Sequence, residues 1–437
     1  MMFFATLALL TVSPQGPDST ITLVAAAARA LAVHPTMAAA SAAVAGAEAR
    51  RREARSAWFP QLTTQASIAQ FQEPMVVRPI HVLDPSRLAF DNTLIQSDLR
   101  LSYTLFDGGA RTARGRAAGA ALAASTAGRD AATTALLADV ARRYLAARTA
   151  RETLDAQREG VRALTAERDR VAQLVREGAG AQVELYRVEA ALAQARAELT
   201  QAAETLDVTR RALARALDLP TVTVARVQPV AITPSDTADR AGLLARVAAQ
   251  NPELAQAAEA REQARQLRRQ AKAAWFPRLD AFGAVSAYGD GGWDFTTEWQ
   301  VGARVFYPLF EGGQRSAAVA QSTAAEDAAD ARYRAAQETI ADALDQAMAS
   351  LVQVDARVVA LEATTTYAAE VVRIERLSLD TGAGTEVEFL RAEADLRHAR
   401  AQLADARSAR ILAHIQLARL TGDLTVDWLA DHTETLP

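Results

Sequence analysis

Side chains able to do chemistry are few in this sequence, and they are scattered. The five histidines, His34, His81, His398, His414 and His432, show no HExxH or comparable ligand spacing. His398 and His414 fall in a helical stretch and read as surface residues. No cysteine is present, which removes disulfides, thiolate metal ligands, a thiol nucleophile and an acylated N-terminal cysteine. Two glycine pairs, Gly108-Gly109 and Gly312-Gly313, lack the Lys-Ser/Thr of a phosphate loop and the spacing of a dinucleotide site. The reading is therefore no enzyme, no cofactor and no metal site. Each pair instead follows a Phe and an acid, Phe106-Asp107 and Phe310-Glu311. An acid there suits the N-cap or first turn of a helix, where the helix dipole favours negative charge, and the glycines let the chain turn sharply. Arg111, Arg114 and Arg116 follow and read as a solvated basic face rather than a binding patch.

The elements that position these residues occur twice. HPTMAAASAAVAGAEARRREARSAWFPQL, 34–62, matches NPELAQAAEAREQARQLRRQAKAAWFPRL, 251–279, with Trp58 on Trp275. Further on, Phe106 falls on Phe310, Gly178 on Gly382 and Leu199 on Leu403. The spacing shortens between these two matches, which places extra residues in the first half between Leu62 and Leu99. That region is rich in Pro and Asp and reads as a loop. A repeat this long is a duplicated supersecondary unit, not a short-period solenoid.

Within Glu184–Ala216 the apolar residues follow a strict heptad. Leu185, Leu192, Leu199, Leu206 and Leu213 hold one seam position; Val188, Ala195, Ala202 and Ala216 hold the other, with Thr209 the exception. A seven-residue repeat keeps the seam on a partner helix, and alanine lets the two axes approach. The second half repeats the pattern with Phe389, Leu396, Leu403 and Leu417 against Ala392, Ala399, Ala406, Ala413 and Leu420. The preceding stretch, Ala110 to about Arg176, has no proline and reads as one helix, roughly 100 Å long at ~1.5 Å per residue. Such a length suits a rod or tube. GAGAQVE and GAGTEVE lie between these helices as C-caps and tight turns, making two helical hairpins.

Other segments alternate with period two. Leu99, Leu101, Tyr103 and Leu105 interleave with polar residues, as do Trp299, Val301, Ala303, Val305, Tyr307 and Leu309. Leu62–Phe71 and Leu279–Tyr288 are weaker strand candidates, each near the length that crosses a bilayer when tilted. Trp58, Trp275, Trp299 and Tyr307 are placed near strand ends, where an interfacial aromatic girdle would lie. Alternation alone also fits a small soluble sheet with one solvated face.

The 437 residues are 50% hydrophobic but only 5% aromatic, and Ala, Arg, Glu, Gln and Leu dominate long stretches, as close-packed long helices require. A net charge of −4 gives no reason to propose nucleic acid as a partner. The start, MMFFATLALLTVS, resembles the apolar core of a secretory signal peptide, although no Lys or Arg precedes it. No later stretch is apolar over ~18 residues, so no transmembrane helix is expected. The expected division is a signal peptide over 1–18, a first repeat over 19–218, a Pro-rich linker over 219–240 with one short strand, a second repeat over 241–422 and a tail over 423–437.

With Trp58-Phe59-Pro60 and Trp275-Phe276-Pro277, Phe106-Asp107-Gly108-Gly109, Pro308-Leu309-Phe310-Glu311-Gly312-Gly313, and the tips GAGAQVEL and GAGTEVEFL, the chain resembles the TolC-type outer membrane efflux protein family from about residue 20 to 422. The resemblance implies a mostly α chain with a minor β part, built as a duplicated strand-strand-long helical hairpin unit. It implies a homotrimer with a shared twelve-stranded β-barrel in outer membrane lipid and a periplasmic α-helical barrel. It implies a passive channel of a tripartite efflux or type I secretion system, working with a periplasmic adaptor (membrane fusion protein) and an inner-membrane transporter. The adaptor would meet Gly178, Gly180, Gln182, Glu184, Gly382, Gly384, Thr385 and Glu388. Glu386 and Glu388 are candidates for an acidic ring at the constriction, against the plainer reading of helix-start acids. The tips depart from the family in having Glu184 and Glu388 where Asp is common, and Ala181 where the second tip has Thr385. Four strands cannot close a barrel, and an open strand edge cannot face lipid, so membrane strands here require several copies. The rival reading is a soluble periplasmic coiled-coil scaffold without transport activity, which accounts for the heptads but not for the doubled strands.

Overall fold

The computed structural model describes residues 20–79, 88–220, 222–224 and 239–433. The expected signal peptide, His81 and most of the linker, with Pro229 and Pro234, lie outside the described residues. In chain order the elements are β1 (Thr20–Ile21), α1 (Leu23–Val33), α2 (Pro35–Ser56), β2 (Gln61–Val76), β3 (Phe90–Phe106), α3 (Ala110–Arg176) and α4 (Gln182–Ala216). They continue with β4 (Thr223–Val224), α5 (Arg240–Gln250), α6 (Pro252–Ala273), β5 (Arg278–Gly289), β6 (Phe295–Phe306), α7 (Gln314–Thr381), α8 (Glu386–Thr421) and α9 (Val426–His432). The order is mostly α with a minor β part, written twice, as the sequence predicts.

Proline sets the first break in each half. His34 is extended because Pro35 follows it, and Pro35 opens α2 where its missing N–H is not needed. Asn251 and Pro252 do the same between α5 and α6. Among the described residues no single helix is long and apolar enough to cross a membrane.

The chain divides into two compact units. One takes Met1–Ser41, Gly128–Glu253 and Gln337–Pro437. Its main core gathers Leu23, Leu137, Tyr144, Leu213, Leu217, Ile411, Ile415, Leu424 and Leu429 from several helices. The Tyr144 hydroxyl donates to the Ile21 carbonyl at 3.1 Å, so the one polar atom of a buried aromatic is satisfied. β1 and β4 pair in parallel. The heptad seams pack as their spacing demands: Leu206 and Ala202 meet Leu154 and Ala150, and Leu192 and Ala195 meet Leu164. In α8 the seam residues are buried from Phe389 to Leu420 apart from half-buried Leu417 and Arg410, which fills a seam position and pairs with Asp355 at 2.7 Å. His398 is exposed, but His414 is buried rather than on the surface. Burial lowers the His414 pKa and keeps the ring neutral.

The other unit takes Ala42–Ala127 and Leu254–Ala336 and holds an antiparallel sheet in the order β2-β3-β5-β6. Its strands are longer than the alternating runs, reaching 16 and 17 residues in the first half and 12 and 12 in the second. Register shifts between Gln70 and Met75, which accommodates Pro74 on the edge strand β2. Trp299 lies inside β6 rather than near its end.

Directly paired residues share a face of a sheet, and the pairing sorts this sheet cleanly. Leu62 faces Leu101, Ile68 faces Ile95, Leu99 faces Val285, Val285 faces Trp299 and Leu279 faces Val305. That face is apolar and largely uncovered, with Val301 75% exposed. The opposite face is mostly polar, although Leu94, Phe282 and Phe306 also lie on it. Ser286 donates to Asp98, and Thr104 donates to Asp280 at 2.8 Å while Arg278 Nε reaches the same oxygen at 2.8 Å. Among the described residues β2 and β6 each have only one strand partner.

Candidate functional site

Two kinds of local structure hold the sequence-selected residues: the strand-to-helix junctions and the hairpin tips. At the first junction Asp107 caps α3. Its Oδ1 accepts from the Gly109 N–H at 3.1 Å, and its Oδ2 accepts from the Arg111 N–H at 3.0 Å. Gly108 and Gly109 have φ of +63° and +87°, a run that only glycine adopts without strain. Arg111 Nε donates to Asp107 Oδ2 at 3.0 Å, and its Nη2 donates to the Leu105 carbonyl at 3.3 Å. The guanidinium lies 4.4 Å from the centre of the Trp58 ring. Arg111 is therefore buried, only 9% exposed, and not part of a solvated face. Asp107 and Trp58 take it out of water on both sides.

The second junction repeats this. Gly312 and Gly313 have φ of +57° and +87°. Arg315 pairs with Glu311 at 2.8 Å, donates to the Pro308 carbonyl at 2.6 Å and lies 4.8 Å from the Trp275 ring centre. Each Trp-Phe-Pro thus supplies the aromatic lid for the arginine of its own half. Phe106 and Phe310 differ: Phe310 is 87% exposed, while Phe106 is about half exposed.

The tips are congruent as well. Gly178 and Gly382 take φ of +76° and +73°. The Leu174 carbonyl accepts from the N–H groups of Ala179 and Gly180, and the Ser378 carbonyl accepts from those of Ala383 and Gly384. A Cβ on Gly384 would fall 2.8 Å from the Ser378 Cβ, so the turn is too tight for a side chain there. Capping separates the two tips. The Thr385 hydroxyl accepts from the Glu388 N–H, and the Glu388 carboxylate accepts from the Thr385 N–H, each at 3.3 Å. Ala181, at the equivalent place, has no side-chain cap. Gln182 is exposed and Glu184 half-buried.

Glu386 and Glu388 face different surroundings. Glu388 is exposed and closes the capping box. Glu386 is buried inside the protomer beside fully buried Glu167. Arg170 Nε bonds Glu167 at 2.8 Å and its Nη2 reaches Glu386 Oε2 at 3.3 Å, while Arg376 pairs with Glu167 and lies over the Phe389 ring. Burial, reinforced by the neighbouring Glu167 carboxylate, pushes the Glu386 pKa up to about 7, against the opposing pull of Arg170. Sequence reasoning missed Glu167, Arg170 and Arg376. In helices this rich in charge, nothing but the i,i+3 spacing of Glu167 and Arg170 marks them out.

A family model described as Outer membrane efflux protein matches residues 26–218 and 243–423. Among curated proteins none matches this sequence. The outer membrane protein VceC from Vibrio cholerae superposes with a TM-score of 0.78 at 19% identity, covering 92% of this chain and 96% of that one. The open state of the MtrE outer membrane channel of Neisseria gonorrhoeae gives 0.75 at 22% identity, covering 92% and 91%. The CmeC outer membrane channel of Campylobacter jejuni gives 0.74 at 17% identity, covering 94% and 88%. At these identities the likeness is one of fold.

Proposed function

The chain belongs to the outer membrane efflux protein family, and on that premise we propose that it is the exit duct of a tripartite efflux or type I secretion assembly. In this reading three copies share one barrel, and substrate passes down its gradient from an inner-membrane transporter and periplasmic adaptor to the exterior. The observation that carries it is the sheet. One face is mostly apolar and exposed, the other is mostly polar and internally hydrogen-bonded, and among the described residues each edge strand has a strand partner on one side alone. An apolar outer face and a polar lumen are what a barrel in lipid needs. Open edges cannot stand in hydrocarbon, so one copy cannot be the working unit. The tips Gly178–Glu184 and Gly382–Glu388 are the surface offered to the adaptor, with exposed Gln182, Thr385 and Glu388 as its polar contacts.

Reconstitution tests this. Protein extracted from membranes in detergent should run at three times the protomer mass and give discrete ion conductance in planar bilayers. Recovery only as a soluble monomer, with the Leu101 and Val301 face packed inward, would instead support a periplasmic coiled-coil scaffold.

A further inference from the structure

Near the end of the chain α5, the last turns of α8 and α9 enclose a cavity of about 460 Å³, a volume typical of small-molecule sites. Its walls are fixed. The Asn251 amide donates to the Leu420 carbonyl at 2.9 Å, tying the end of α5 to α8. Gly422 turns the chain with φ of +82° against the Gln250 carbonyl, where no side chain fits. Leu424 and Leu429 anchor the following segment in the main core.

One residue of the wall is unsatisfied. His414 lines the cavity, is 4% exposed, and has no hydrogen-bond partner on either ring nitrogen among the described residues. Burial lowers its pKa, with Arg410 and His432 acting in the same direction and Asp355 opposing them. A neutral imidazole can donate at one nitrogen and accept at the other, and buried polar groups are rarely left unpaired.

The rim is acidic. Asp427 and Asp431 stand four apart on α9, share a face, are exposed and have no partner among the described residues. Asp427 suits the first turn of α9, but Asp431 falls in the last turn, where the helix dipole disfavours an acid. The third acid of the lining, Asp423, is answered by Arg246 and by the Thr421 hydroxyl at 2.7 Å. Leu243, Leu417 and Trp428 supply the apolar wall. His432 stacks on the Trp428 ring at 4.3 Å and donates through Nδ1 to the Trp428 carbonyl at 2.9 Å, which holds the indole in place.

We propose that this cavity binds a small organic ammonium ion with an apolar body, its N–H donating to His414 while Asp427 and Asp431 balance its charge. The class follows from the parts. A neutral imidazole accepts from an ammonium, unpaired carboxylates select positive charge, and the Leu243, Leu417 and Trp428 wall favours a hydrophobic body. A bare metal ion fits less well, because no three His, Asp or Glu among the described residues are grouped to hold one. The site goes beyond the duct and does not depend on it.

Calorimetry on the full chain in detergent tests this with three ligands of one shape. Phenethylammonium should bind, and phenethyl alcohol, which lacks the charge, should bind about tenfold more weakly or worse. Phenethyltrimethylammonium keeps the charge but has no N–H to donate, and should also lose about tenfold. Asp427→Asn/Asp431→Asn, on the exposed rim, should bring phenethylammonium down to the level of the alcohol. His414→Leu should weaken it about tenfold, whereas His414→Gln, which can still accept, should keep more of the binding. Equal affinity for amine and alcohol, wild-type affinity in the aspartate or His414→Leu variant, or no binding at millimolar amine would overturn the proposal. Zinc binding that these variants abolish and the amine cannot displace would make the cavity a metal site instead. None of these results bears on the duct, which conductance reads separately.

Discussion

Phe276 stands against Gly108, so close that no side chain fits between them: a Cβ on Gly108 would meet the Phe276 Cβ at 2.6 Å. The glycine is required twice, once by this contact and once by its φ of +63°. Gly109 next to it has φ of +87° but open space around it. The pair therefore separates backbone strain from steric exclusion. Gly109→Ala should cost about 1–2 kcal/mol, the usual penalty of a left-handed alanine. Gly108→Ala must also displace Phe276 or the Ala273 carbonyl and should cost clearly more. Denaturant unfolding in detergent of the two variants reads the difference; equal losses would mean that the contact with Phe276 yields freely.

The tip cluster makes stability depend on pH. Unfolded, Glu386 titrates near 4.5; folded, it titrates at about 7. Between those values the folded chain holds the extra proton, so its stability is full below about pH 4.5 and falls as pH rises through 7. The loss should be about 1–3 kcal/mol and local to the contact of Glu386 with Glu167 and Arg170. Glu386→Gln keeps the shape and removes the titration. It should stabilise the tip at pH 8 and flatten the slope between pH 5 and 7, as amide exchange at the start of α8 would report. A Glu386→Gln protein with the wild-type slope would place the titrating group elsewhere.

Much of this architecture is legible in the sequence, and the failures have physical causes. The heptads from Leu185 to Leu213 and the glycine tips are visible because periodicity and positive φ leave local marks. The stretch Phe90–Asp98 of β3 is not, because FDNTLIQSD lacks alternation and only its partner strand makes it a strand. Arg111 reads as solvated because its sequence neighbours are alanine and other arginines. What buries it is Trp58, distant in sequence and brought back by the β2–β3 hairpin. Glu167 and Arg376 are unreadable for the same reason: their meeting is tertiary.

Capping differs between tips that are otherwise alike. Thr385 and Glu388 form a reciprocal box, whereas Ala181 leaves α4 without a side-chain cap although Glu184 already stands at the third helical position. Ala181→Thr should complete the same box and slow amide exchange over the first turn of α4, by an amount equivalent to ~0.5–1 kcal/mol. Thr385→Ala should speed exchange over the first turn of α8 by about 1 kcal/mol. Unaltered exchange in both would mean that the tips are held by the glycine turns alone.

The acids at the second tip divide by burial, and ion selectivity can test that division. Glu386 is enclosed by Glu167 and Arg170 within the protomer, so its charge is screened from any opening. Glu388 is exposed, and among the described residues its carboxylate bonds only Thr385 of its own turn. If three copies bring Glu388 to a common constriction, the ring of acids favours cations. Glu388→Gln is the informative change, because glutamine can still close the capping box and only the charge is lost. Reversal potentials across a salt gradient in planar bilayers should then move toward zero for Glu388→Gln and stay put for Glu386→Gln. An unchanged potential in Glu388→Gln would leave that residue as a helix cap and nothing more.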